Sequence, residues 1–151
     1  MRASLLLASV LLAAWVIGAA PAAAAGQRIQ LTGELVDTWC YISEIMGGSE
    51  AVLGSAHHQC AVWCAAGGVP VGLLSEAGDL YMVLKLGDDD TSNANPRIIE
   101  VQSSQVTVDG ELHERDGIRY LLIDEILNND GIVNRSHEDF GVIPAFGVPQ
   151  Q

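Results

Sequence analysis

Past residue 27 the chain alternates apolar and polar side chains in short runs, and the breaks between runs fall at Gly, Pro and Asn. Residues 28–41 (RIQLTGELVDTWCY) are alternating and rich in β-branched side chains, which predicts a long first strand interrupted at Gly33. Residues 56–66 read as a helix, with Ser55 as its N-cap because a serine hydroxyl can accept from the free N–H groups of the first turn. Gly67, Gly68 and Pro70 end it, glycine suiting the left-handed cap and proline blocking continuation. Residues 69–75 and 80–86 predict two strands around a turn at 76–79, followed by a polar loop over 87–95. Residues 97–101 predict another extended segment with a break near Ser103 and Ser104. Residues 105–113 and 118–126 flank Asp116-Gly117, a strong hairpin signal. Residues 127–151 have no period and read as an irregular tail. The expected fold is mainly β, a small antiparallel barrel of the OB type with one short inserted helix, spanning residues 26–126. A β-sandwich is the alternative.

The N-terminus follows a different pattern. Met1 and Arg2 supply one positive charge, residues 3–20 are an uncharged, mostly apolar run, and Pro21 is followed by four alanines. This is the layout of a removable signal peptide with an A-x-A cleavage site, cut after Ala25. An uncleaved anchor would need the apolar run to span a bilayer, and no basic stop-transfer flank follows it. The expectation is therefore a periplasmic or secreted protein with no membrane association after cleavage.

Charge narrows the partners. The chain carries 7 basic and 19 acidic residues, a net charge of −12. Nucleic-acid affinity rests on Lys and Arg displacing counterions, so a nucleic-acid role is disfavoured, as is an anionic membrane surface. The partners left open are an exported metalloprotein or a redox protein, and the oligomeric state is open too.

The candidate chemistry lies in three cysteines, Cys40, Cys60 and Cys64. An odd count in an exported chain leaves at least one thiol without an internal partner. On the expected helix His57, Cys60 and Cys64 stand at about 0°, 300° and 340°, one narrow face, whereas His58 falls at about 100°. Cys40, at the end of the first strand, completes a set of one nitrogen and three sulfurs. Such donors suit Zn(II) or Cu(I) and not Mg or Ca. Met46, a thioether for copper, and Asp37 are further candidate ligands, and Asp37 or Glu44 could instead orient the imidazole. Two other readings stay open. Cys40 could pair with Cys60 or Cys64 as a disulfide that staples a ligand-binding or structural barrel, leaving a buried thiol. The cysteines could also serve thiol–disulfide exchange, although the usual Cys-x-x-Cys spacing is absent.

The Cys-x-x-x-Cys element of Cys60 and Cys64 resembles that of exported copper chaperones of cytochrome oxidase assembly, over those two residues alone. A wider pattern joins Asp37-x-x-Cys40-Tyr41, His57-x-x-Cys60-Ala61-x-x-Cys64 and Gly68-x-Pro70-x-Gly72-Leu73-Leu74. It resembles a family of small exported bacterial proteins with OB-like barrels, over about residues 29–85. The resemblance implies that the cysteines and the histidine act as a unit, and it carries no activity.

The remaining candidates are weaker. Asp88, Asp89 and Asp90 with Thr91 and Ser92 lack the spaced oxygens of a calcium loop and read as a solvated turn. His113 is not part of an HExxH motif, and His137 sits among acidic tail residues. Trp39 and Trp63 flank cysteines, where core packing is the first reading and a lid over a site the second. No nucleophile motif, phosphate loop or paired-carboxylate signature stands out, so no catalytic residue or organic cofactor is assigned.

Overall fold

The computed structural model describes residues 26–88 and 95–136. The segment 1–25 expected to be a signal peptide, residues 89–94 of the expected polar loop, and His137 with the rest of 137–151 lie outside the described residues. The elements are β1 (Gln27–Asp37), α1 (Thr38–Ser43), one 3-10 turn (Ser49–Val52), α2 (Gly54–Ala66), β2 (Val71–Ser75), β3 (Leu80–Leu86), α3 (Pro96–Glu100), β4 (Ser104–Arg115) and β5 (Ile118–Ile132).

The five strands close into a barrel in the order β1-β2-β3-β5-β4, an OB-like arrangement. Four of its pairings are antiparallel and one is not. β3 and β5 run parallel, Met82 beside Tyr120, and this contact closes the cylinder. β1 serves two neighbours, pairing with β4 over Gln27–Glu34 and with β2 over Gly33–Asp37. Gly33 is the crossing point, opposite both Ser75 and Val106, and a Cβ there would lie 2.3 Å from the Leu74 carbonyl oxygen. The expected interruption at Gly33 is thus a change of partner within one continuous strand.

β4 and β5 are joined by Asp116 and Gly117, whose φ values of 54° and 79° are those of a primed two-residue turn. Three register shifts along this hairpin add the local coiling that a small barrel needs. Inside, Leu35, Leu73, Val83, Val106, Val108, Leu121 and Ile123 form the core, each at most 3% exposed.

Several local expectations are corrected. The first strand ends at Asp37, because that side chain caps α1 and turns residues 38–43 into helix. The segment at 97–101 is helical rather than extended, since Asn95 accepts from the Arg97 N–H and Pro96 stands at the first helical position. The barrel does not end at 126. β5 runs on to Ile132, where Ser104 pairs with it, so residues 127–132 are strand and not tail. Ser55 is not the cap of α2. The helix starts at Gly54, and the Ser55 hydroxyl instead binds Arg135, donating to its carbonyl and accepting from its N–H at 2.9 Å each. The free N–H of Gly54 donates to Glu34 Oε1 at 2.6 Å, so a buried carboxylate of β1 anchors the start of α2.

Among the described residues no helix is long and apolar enough to cross a membrane.

Candidate metal centre

α2 lies over the second half of β1, and its sequence dictates which side faces in. Gly54, His57, Ala61 and Ala65 are its buried residues. Helical geometry sets the last three at about 0°, 40° and 80°, so the buried stripe centres near 45°. Cys64 falls about 65° from that centre and Cys60 about 105°, while Trp63 points away. Exposure follows this order: Cys64 is half-buried, Cys60 is exposed, and Trp63 is 71% exposed. Trp39 on α1 is 61% exposed, so neither tryptophan packs in the core as first expected.

The capped turn at the end of β1 supplies the other half of the site. Asp37 Oδ1 accepts from the N–H groups of Trp39 at 2.9 Å and Cys40 at 3.3 Å, which fixes both the carboxylate and Cys40. Asp37 and Cys40 are buried, at 1% and 4% exposure. A carboxylate oxygen of Asp37 and the sulfurs of Cys40, Cys60 and Cys64 all lie within 4.8 Å of one another, a cluster that could hold a metal ion. Bonds of about 2.3 Å to a tetrahedral zinc would put sulfurs about 3.8 Å apart, so a small contraction suffices.

His57 stands behind this cluster rather than in it. It is 2% exposed, and its Nε2 faces Asp37 Oδ2 at 3.6 Å, just beyond hydrogen-bond reach. Neither of these two buried atoms has a hydrogen-bond partner. The three expected cysteines come together, then, while Asp37 occupies the fourth place and the imidazole backs the carboxylate. Met46 is half-buried in the loop after α1, and the cluster reaches four donors without it. Glu44 is exposed as the left-handed C-cap of α1. His113 sits on β4, 3.4 Å from Glu111.

Burial pushes the Asp37 carboxyl up, but His57, the thiols of Cys64 and Cys40 and the Cys40 N–H outweigh it and hold the carboxyl at about 2. Burial, then Asp37, then Cys60 push the Cys40 thiol up to about 12, and the same neighbours raise Cys64 further. The site thus holds one fixed negative charge and two thiols that keep their protons until a cation displaces them. No disulfide joins the three cysteines.

No family model, curated protein or solved structure matches the chain.

Sequence reasoning named Asp37 as a further candidate ligand, with an orienting role as its other reading, and missed Glu34. The signal for Asp37 was present, an aspartate directly before a helical turn that contains a cysteine. Nothing local marks Glu34, whose role depends on α2 lying over β1.

Proposed function

We infer that the chain is an exported zinc-binding module that holds the ion through Asp37, Cys40, Cys60 and Cys64. The observation that carries this reading is the convergence of a fixed carboxylate with three sulfurs from two separate elements. Zinc accepts both thiolate and carboxylate in a tetrahedral set, whereas Cu(I) favours sulfur alone. The charge balance agrees, since a divalent ion offsets more of an anionic, half-buried donor set than a monovalent one does. Four protein donors fill a tetrahedral zinc and leave no place for substrate, which supports storage, transfer or structural use over catalysis. Thiol–disulfide catalysis needs a lowered thiol pKa, and burial followed by Asp37 pushes Cys40 and Cys64 the other way. Export is supported by the charged, apolar and small-residue layout of residues 1–25.

The test is reconstitution of the reduced protein with Co(II) as a zinc surrogate, read by its sulfur-to-cobalt charge-transfer absorption. The expectation is a tetrahedral spectrum at one ion per chain, weakened by Cys64→Ser and altered in its ligand field by Asp37→Asn. A spectrum without sulfur ligation would contradict the reading.

A second reading follows from the same sulfur separations: oxidation of one pair would staple α2 to α1 and leave one thiol. Intact mass after alkylation of unreduced protein separates the two. One disulfide with a single thiol favours the staple, and three alkylatable thiols after chelation favour the metal.

A further inference from the structure

The four donors are unequally exposed. Asp37 and Cys40 are buried, Cys64 is half-buried, and Cys60 opens to solvent on the outer flank of α2. An ion seated here is walled off from below and reachable through Cys60. Four of the large apolar side chains exposed among the described residues stand on the two helices of the site or next to them: Trp39, Ile42, Ile45 and Trp63. An open groove of about 480 Å³ runs beside them, lined by Trp39, Ile42, Gly67, Val69 and Pro70.

Charge sets this face apart. Residues 51–75 contain no Asp, Glu, Lys or Arg, in a chain of net charge −12. The α2 flank around Cys60 therefore adds no charge of its own to that of Asp37 in the cluster. The face matches a partner surface that is itself apolar and uncharged, and the only cation joining the two would be the ion. Exposed tryptophans are common anchors of contact surfaces, and Trp39 and Trp63 stand beside Cys40 and Cys64.

We propose that this face is a transfer surface, at which a partner protein carrying exposed thiols on an apolar surface exchanges the zinc ion through Cys60. The proposal rests on the zinc reading above. The step is a ligand exchange: the bond from zinc to Cys60 Sγ breaks as a bond from zinc to the partner's sulfur forms. The proton of the partner's thiol passes to Cys60, and no electron moves. Asp37, Cys40 and Cys64 hold the ion while the first ligand changes.

The experiment uses the zinc-loaded full chain and two peptides with the same pair of cysteines, flanked by leucines in one and by serines in the other. Zinc transfer to the leucine peptide should be faster by about tenfold, the factor that one aromatic anchor of a contact surface commonly carries. In the Trp39→Ser/Trp63→Ser double variant the two rates should converge with zinc affinity unchanged. In the loaded wild type, iodoacetamide should reach Cys60 before Cys40 and Cys64. Equal rates for the two peptides in the wild type, or Cys40 alkylated as fast as Cys60, would overturn the transfer surface and leave the zinc site standing. A zinc-loaded chain that sediments as a dimer only while both tryptophans are present would assign the face to a second copy and overturn it too. A chain that retains no zinc would overturn both readings together.

Discussion

Asp37 does two jobs with two oxygens: Oδ1 caps α1, while Oδ2 faces His57 within the wall of the cysteine cluster. The pH behaviour of the ion-free protein follows. A carboxyl held at about 2, below its ordinary 3.8, contributes stability that is fully present above 3.8 and lost as pH falls through about 2. The contribution is about 2 kcal/mol, and Asp37→Asn should remove that part of the acid transition in urea melts. Cys40 acts with the opposite sign. Its thiol is raised from 9.0 to about 12, so the stability it adds is present below 9 and lost as pH climbs towards 12. Cys40→Ser should flatten that alkaline loss, and an unchanged alkaline arm would count against the raised thiol. Zinc binding must expel these protons, so the apparent affinity should fall as pH is lowered. Calorimetry in two buffers of different ionisation enthalpy would count the protons released. What the sequence disclosed at this scale was the cysteines, through their odd number and helical spacing. The position of His57 behind Asp37 and outside the four-donor cluster was hidden. The helical face of His57, Cys60 and Cys64 is real, but packing on β1 draws residues 57, 61 and 65 inward and turns Cys60 out.

At the scale of elements, the start of α2 is tied to β1 by the buried carboxylate of Glu34. Burial raises Glu34, against the lowering effects of the Gly54 N–H and Arg135. A carboxyl raised in the folded state favours folding while protonated, so its share of stability declines as pH rises above its ordinary 4.5. Glu34→Gln keeps an oxygen for Gly54, and should leave the fold intact while removing this decline from melts between pH 4 and 7. Gly33 has less room. A side chain there meets the Leu74 carbonyl, so Gly33→Ala should cost about 1–3 kcal/mol in chemical denaturation. The hairpin at Asp116-Gly117 and the turn between β2 and β3 were legible because their signals are local. α1 and α3 were not read, although each has a cap, because TWCYIS and PRIIE are rich in residues that also suit strands. The parallel pairing of β3 with β5 leaves no local trace, since it depends on how the whole sheet closes.

The whole molecule is a closed barrel whose last strand outruns its apolar pattern. Beyond residue 126, Asn128, Asn129 and Gly131 continue the pairing with β4 despite their polarity, with Asp130 left out at a register shift, because backbone hydrogen bonds and not side-chain burial hold that end. Residues 133–135 then reach Gly54 and Ser55 at the start of α2. Ending the chain at residue 126 should therefore lower Tm far more than ending it at 136, and equal melting of the two truncations would show that the extension is dispensable.

The central claim is that this barrel holds one soft metal ion between β1, α1 and α2. Elemental analysis of the full chain purified without chelators tests it most directly. The account predicts close to one zinc per chain, falling sharply in Cys64→Ser and Asp37→Asn while both variants keep the wild-type fold by circular dichroism. Copper in place of zinc would keep the site and correct the ion. Substoichiometric metal in the wild type, indifferent to those substitutions, would contradict the account.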